Sequence, residues 1–554
     1  MAITMAWMVV LVMPSTSRTC LAYVICNNST KPEEGTVTLC PSGSICCPLS
    51  NGDYGCLVFG KKGNSGVCCV QGGGGCGSDY QCGSVVIDEH NNQKIKNLRE
   101  RKWHPVCLKK PEKVITDDPM QLPRYSLCSV PSKALQTVYT LPVRSSSSKS
   151  SPSPIMHASY RSTMGALEDI HRTESISSRI DTIIVAIHDD SQSADQYLCS
   201  ANGALPKNQQ DPSNSTILVL TPWFLTRSDL TEAVPQVNTR DTPSMTDRSL
   251  LTWRNEFPLG EQYPNIMISP SWSYGFDSIH GHASSFAVLD HILDYVQSMS
   301  LPRLKRIVVS GHGSGGQFVQ RWAVLSNQGS FMWRKAGTAA HNNNPAGHDH
   351  NESKSGTPIL RIVVANPHSF LYLDGQRYSY EEGHRHFQVP SPEKQKACPL
   401  YNHYGWGLNL DDENVNTPIP YVYNALREVG GVEAVVERYA QRPVLYLSSG
   451  LDLLDSSTRK RDSTITCMDL MQGGNRLWAA RFFYQHLQSM YTNSTLVQTG
   501  GDFLQMRLEA PMVDHDHSLL YSSEVGQIAL LGTDDQVRAI QKQQQWDSDS
   551  TTMI

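Results

Sequence analysis

The 554-residue chain has no excess of basic charge: 47 Lys and Arg face 52 Asp and Glu, a formal net charge of −5. That excludes a strongly basic nucleic-acid binder as the default class and leaves nucleic acid out of the expected partners. Beyond residue 30 there is no run of eighteen apolar residues, which excludes an internal membrane-spanning helix. Charged residues are sparse at 18%, yet hydrophobic residues reach 39%, so the composition is globular and not that of a disordered chain. The Cys-rich first segment contains no CxxC pair, which counts against a zinc ribbon or finger. The glycine-rich turn at 311–316 is not followed by Lys-Ser or Lys-Thr, so a phosphate loop fits it poorly.

What is present begins with cysteine. Of 15 Cys, 12 lie at or before Cys128. A reducing compartment would leave them as thiols in a loop-rich segment, whereas an oxidising one would make them its scaffold. The stretch AWMVVLVM followed by TSRTCLA reads as a secretory signal over 1–22, although no Lys or Arg precedes it. Sequons at Asn28, Asn214, Asn351 and Asn493 agree with a secreted glycoprotein. Residues 23–128 form a disulfide module. Its adjacent pairs, Cys46-Cys47 and Cys68-Cys69, must each find separate partners. A basic stretch from Lys94 to Lys113 offers contacts to an anionic glycan or surface, or simply a solvated face, and the Cys-rich module is expected to make glycan or protein contacts. Residues 129–174, with a Ser/Pro-rich centre at 145–154, read as a linker.

From about residue 175 the texture changes. Continuous apolar runs at 180–187, 216–222, 306–311, 359–367 and 443–449 have the length and composition of strands buried on both faces. Helical periodicity separates them at 284–299, 431–441 and 475–490. Alternation of this kind over 175–538 predicts an α/β fold built on a mostly parallel, doubly wound sheet. A polar insertion at 334–357 interrupts it, and 539–554 reads as a polar tail.

The strand at 306–311 runs into Gly311-His312-Gly313-Ser314-Gly315-Gly316 and then a helix. Strand, tight glycine turn, helix is the geometry of a nucleophile elbow, in which a strained turn holds the nucleophile and small residues flank it at two before and two after. Taking Ser314 as nucleophile puts the bulky His312 two residues before it. The usual spacing puts the nucleophile at Gly313, which has none. Downstream, Asp452 ends a strand where an orienting carboxylate belongs, and His515 follows a last strand near 504–509, in the nucleophile–acid–histidine order of α/β-hydrolases. Asp455 competes with Asp452 for the acid position. Asp514, Asp516 and His517 surround His515, and His515, Asp516 and His517 together are a metal-binding alternative without an evident further ligand set. An oxyanion hole would draw one N–H from the residue after the nucleophile, at 314 or Gly315, and one from His188-Asp189, where Asp189 places a carboxylate beside the developing charge.

These segments resemble the secreted α/β-hydrolase-fold esterases of fungi, protists and bacteria. The likeness is carried by Ala194-Asp-x-Tyr197, Leu218-Val-Leu-Thr-Pro-Trp-Phe224, Leu251-Thr-Trp253, Ser284-Ser-Phe-Ala-Val-Leu-Asp290, Gly315-Gly-Gln-Phe-Val-Gln-Arg-Trp322, Ala365-Asn-Pro-His-Ser369, Cys398-Pro-Leu-Tyr-Asn402, Gln472-Gly-Gly-Asn-Arg476 and Val513-Asp-His-Asp516. The N-terminal module looks weakly granulin-like. The resemblance implies an α/β-hydrolase fold and an ester-type small-molecule or lipid substrate, with no cofactor or metal. It assigns the acid to Asp452, the histidine to His515 and the nucleophile position to Gly313, and it makes Cys398–Cys467 a disulfide with Cys199 left over. Two readings stand at this point. One is a secreted serine hydrolase of carboxylesterase or lipase type using Ser314, Asp452 and His515. The other is a pseudohydrolase that keeps the fold and serves as a binding or interaction protein.

Overall fold

The computed structural model divides into two units, Met1–Leu122 and Pro123–Ile554. It describes side chains within 128–544, with breaks at 144–154, 191–193, 231–248, 257–269, 280–282, 329–357, 380–385, 411–418, 454–466 and 493–502 and at 228; in the first unit it describes backbone strands. Those strands form antiparallel pairs, including Ser44–Pro48 with Tyr54–Val58 and Tyr80–Ile87 with Lys102–Lys109. Their register sets Cys46 opposite Cys56 and Cys82 opposite Cys107. The signal segment falls mostly outside the described residues, and the insertion at 334–357 lies wholly outside them.

The second unit is built on eight strands: β1 (Tyr139–Arg144), β2 (Ile155–Ser162), β3 (Thr182–Ile187), β4 (Ile217–Trp223), β5 (Arg306–His312), β6 (Ile359–Ala365), β7 (Val444–Ser449) and β8 (Met506–Ala510). They lie in the order β1-β2-β4-β3-β5-β6-β7-β8. β1–β2 and β2–β4 pair antiparallel, and every later pair is parallel. This mostly parallel sheet, with its single inversion of order between β3 and β4, is the α/β-hydrolase fold. The strands expected from apolar runs are its buried centre. β4 is buried along its whole length, and β3 and β5 at all but their first residue, as strands covered on both faces must be.

Two expectations change. The segment 129–174, read as linker, contributes β1, β2 and three short helices. The Ser/Pro-rich run that suggested a linker is only the connection between those strands. Pro142 within β1 is tolerated because β1 is the edge of the sheet, where a missing N–H costs no ladder bond. The expected polar tail is a continuation of the helix Asp534–Thr551. Gln544 on that helix accepts from Glu509 N–H (3.0 Å) and donates to Glu509 C=O (2.6 Å), so the helix is tied to β8 by peptide-like bonds as well as by the burial of Val537 beside Leu508 and Ala510.

The helix Ser314–Leu325, here α1, is buried at every residue and crosses the sheet behind β5. Phe318 anchors it in an aromatic cluster, 4.9 Å from Phe224, 5.0 Å from Phe286 and 6.0 Å from Trp272 by ring centroid. Such pairs add roughly 1 kcal/mol each beyond area burial. At its other end Arg442 donates to the carbonyls of Ala323 and Ser326, satisfying orphan groups of the last turn. α1 is therefore held at both ends, and so is the turn that starts it.

Two disulfides close on this unit. Cys398–Cys467 is formed as the resemblance implies. Cys199 is not left over: it bonds Cys128, so the last cysteine counted with the N-terminal module belongs to the α/β unit. Non-reducing peptide mapping should recover Cys128–Cys199 and Cys398–Cys467 as linked pairs. Replacing both Cys398 and Cys467 by Ser, which opens a loop of 69 residues, should lower unfolding free energy by about 4 kcal/mol in urea titration if chain entropy sets the effect.

Candidate active site

The turn between β5 and α1 decides which residue stands at the apex. Gly313 has φ 60° and ψ −123° and is the N-cap of α1, whereas Ser314 is already the first helical residue. The flanking glycines confirm the register. A Cβ on Gly311 would lie 2.1 Å from the Gly315 carbonyl oxygen, and one on Gly315 would lie 2.3 Å from that of Ile187. Positions two before and two after Gly313 thus admit no side chain, which is the steric signature of an elbow centred on 313. The reading that takes Ser314 as nucleophile is not what the structure assembles. The Ser314 hydroxyl is fully buried and makes no hydrogen bond among the described residues.

Asp452 and His515, the expected acid and histidine, are brought together. Asp452, completely buried, accepts from His515 Nδ1 at 2.7 Å through one carboxylate oxygen and from Arg476 Nη1 at 3.1 Å through the other. Asp452 thereby fixes the proton of His515 on Nδ1 and leaves Nε2 as the lone-pair atom facing the elbow. No other hydrogen bond reaches that Nε2 among the described residues. Asp455, the competing acid, lies outside the described residues. Asp516 is spent as a helix N-cap, accepting from the N–H groups of Ser518 (2.8 Å) and Leu519 (2.9 Å). His517 is stacked on Tyr197 at 4.2 Å. The metal alternative made of His515, Asp516 and His517 is therefore not assembled.

Asp189 and Gly313 meet in space. A Cβ on Gly313 would lie 2.5 Å from Asp189 Oδ1 and 2.6 Å from Oδ2. The carboxylate fills the space into which a nucleophile's side chain would project. Its Oδ1 accepts from the N–H of Ser314 at 2.7 Å and from that of Asp190 at 2.9 Å. One N–H follows the apex and the other belongs to the loop after β3, so these are the two donors expected of an oxyanion hole. Gly315, named with His188 and Asp189 among the oxyanion residues, serves by close packing. His188 donates from Nδ1 to the Asp189 carbonyl (2.8 Å) and accepts the Phe224 N–H at Nε2 (3.1 Å), which pins the loop rather than lining the hole.

The electrostatics agree with this placement. Burial opposes a charge on Asp189, but His368, His312 and the Ser314 N–H outweigh it and hold its carboxyl well below the usual carboxylate range. Burial, then the neighbouring His515 and His517, pushes His312 well below the usual histidine range and keeps it neutral. Burial lowers His188 as well, and takes His517 down to about 4.

Sequence reasoning assigned no role to Asn366, His368 and Arg476, although they stood in the quoted segments. Asn366 adopts φ 40°, a left-handed backbone unusual for a non-glycine residue. Its side chain accepts from Ser449 N–H (2.8 Å) and donates to Ser449 Oγ (2.7 Å) and toward His312 Nε2 (3.3 Å). Arg476 Nε donates to His368 Nδ1 at 2.8 Å, so His368 carries its own proton on Nε2, which lies 3.6 Å from Asp189 Oδ1. A separate cavity of about 330 Å³, lined by Tyr378, Pro390, Cys398, Cys467 and Met471 among others, shares no residue with this site.

A parallel sheet with a strand–elbow–helix turn and an acid–histidine pair following in that order defines a protein of the α/β-hydrolase fold. No family model matches the chain, and no curated protein matches it. Among solved structures, poly(aspartic acid) hydrolase-1 from Sphingomonas sp. KT-1 is similar over 71% of this chain and 98% of its own, at 16% identity and TM-score 0.36. LpqC, a poly(3-hydroxybutyrate) depolymerase from Bordetella parapertussis, is similar over 74% and 99%, at 14% identity and TM-score 0.35. The siderophore hydrolase EstB from Aspergillus nidulans covers 71% and 95%, at 10% identity and TM-score 0.29. At such identities and TM-scores no substrate follows from the likeness.

The neutral histidines set a pH dependence. His188, His312 and His517 are held unprotonated when folded but bind protons below about pH 6.5 when unfolded. The unfolded chain therefore binds more protons over that range, and stability falls as pH drops from about 6.5 toward 4, by up to about 1.4 kcal/mol per pH unit for each histidine. His517→Phe should remove one proton from that slope, measured as urea midpoints across pH 7 to 4 (about three units). An unchanged slope would show that His517 is already protonated in the folded state.

Proposed function

We propose that this chain is a pseudohydrolase, an α/β-hydrolase-fold binding protein that does not form a serine acyl-enzyme. One observation carries the reading: the Asp189 carboxylate occupies the space of a nucleophile side chain at Gly313 and takes both N–H groups that would otherwise receive an oxyanion. A tetrahedral intermediate would have to displace an ionised, doubly hydrogen-bonded carboxylate, and any substrate carbonyl would meet its negative charge. The proposal includes secretion through the signal at 1–22 and glycan or protein contacts by the Cys-rich module. Two disulfides within the α/β unit suit an oxidising compartment.

A second reading rests on the intact Asp452–His515 pair. With Nε2 of His515 free to accept a proton, that pair can activate a water for direct attack on an ester, with no covalent intermediate. It keeps ester-type small molecules or lipids as substrates.

Fluorophosphonate labelling with mass spectrometry separates these readings from a serine mechanism. The folded chain should give no adduct at Ser314, and Ser314→Ala should change nothing. Gly313→Ser alone should gain little, because its Cβ meets Asp189. Combined with Asp189→Gly it should acquire an adduct at position 313 and raise p-nitrophenyl acetate hydrolysis by roughly 100-fold, the scale of a restored oxyanion donor. An adduct on Ser314 that His515→Ala abolishes would overturn the pseudohydrolase reading. Turnover by the wild type that His515→Ala abolishes, without any adduct, would favour the second reading.

A further inference from the structure

The orientation of protons at the degenerate elbow is unusual. His515 gives its Nδ1 proton to Asp452, so its Nε2 presents a lone pair. Asp189 Oδ2 lies 4.0 Å from it. Two electron-pair donors thus confront each other across a gap too long for a hydrogen bond. Such a pair is repulsive unless a proton donor or a cation stands between them. His312 is the third donor of the cluster: ligand atoms of Asp189, His312 and His515 all lie within 4.8 Å of one another, and the His312 and His515 rings are 4.4 Å apart. His368 differs, because Arg476 on its Nδ1 leaves the proton on Nε2, so it supports Asp189 as a donor and is not a ligand.

We infer that Asp189, His515 and His312 form a binding site for a divalent transition-metal ion of the zinc type, created when glycine at 313 let the Asp189 carboxylate enter the elbow. Two imidazole nitrogens and one carboxylate oxygen are the three protein ligands of an open tetrahedral zinc site, with water or an anionic ligand in the fourth position. The supports of the ligands are present. Asp452 orients His515 from its Nδ1, and Asp452 is in turn held by Arg476. Asp189 is oriented by the Ser314 and Asp190 N–H groups on Oδ1, which leaves Oδ2 for the ion. His312 reaches the ion by giving up one of two long contacts, 3.2 Å to Tyr197 or 3.3 Å to Asn366. This names the ligand of the proposed binding protein and rests on that reading in one respect, the placing of Asp189 in the elbow.

The test uses the full chain, stripped with EDTA and titrated with Co²⁺ and then Zn²⁺. Saturable d–d absorption at one equivalent, with no thiolate charge-transfer band and displaced by Zn²⁺, is expected. Asp189→Asn and His515→Gln should each weaken Zn²⁺ binding in calorimetry by about 100-fold, with far-UV circular dichroism unchanged. His517→Phe should leave it as it is. No saturable absorption in folded wild type overturns the inference. So does absorption that persists in Asp189→Asn, since the ion is then held elsewhere on the chain; if that variant misfolds, His515→Gln decides by the same criterion. Fluorophosphonate labelling is run on the metal-free protein, so the two proposals fail separately. An adduct on Ser314 beside an intact Co²⁺ signal removes the pseudohydrolase reading alone, and absence of both signals removes the metal site alone.

Discussion

Oδ1 of Asp189 receives two backbone N–H groups, that of its neighbour Asp190 and that of Ser314, 125 residues further along the chain. Hydrogen bonds to an ionised acceptor contribute roughly 1.5–3 kcal/mol each where water is excluded. Here they join the loop after β3 to the start of α1. Around that join every other site group takes its position. His368 and His312 favour the charge on Asp189, and His312 is held by Tyr197 and Asn366. Removing the carboxylate would leave the buried Ser314 N–H without this partner and would unfasten the loop after β3 from the start of α1.

The Asp452–His515–Arg476 group is stabilised in a different way. Asp452 is wholly buried and would cost several kcal/mol as a lone charge. Arg476 on one oxygen and His515 on the other satisfy it, and Arg476 also reaches His368. The arginine therefore links the acid to the histidine beside Asp189. Loss of either partner of a buried ion pair typically costs about 3–5 kcal/mol. The pair has a structural reason to persist even where no nucleophile stands before it.

Much of this was legible in the sequence because the physics is local. The central strands were readable as continuous apolar runs, since burial on both faces leaves no polar alternation. The elbow was readable because Gly311, Gly313, Ser314, Gly315 and Gly316 directly follow a strand. Its register was ambiguous in sequence. The spacing of small residues around 313 and around Ser314 differs only at His312, and the crowding that settles the matter comes from the carbonyl of Ile187, on another strand. Asp189 was visible as a carboxylate beside the expected oxyanion, but its approach to Gly313 depends on a contact between distant segments. β1 and β2 were missed because a Ser/Pro-rich connection and an edge proline mask their alternation. Cys199 was left without a partner because Cys128 was counted with its sequence neighbours rather than its spatial ones.

The two margins of the sheet close it against growth. An open strand edge is a template on which another chain can add. On one margin Pro142 withholds an N–H from β1. On the other, the Gln544 side-chain amide pairs with the N–H and C=O of Glu509 as a neighbouring strand would, yet extends no further. A glutamine on a polar C-terminal helix thus acts as a one-residue stop. Truncating the chain before it would return the β8 edge to solvent as a site for intermolecular pairing.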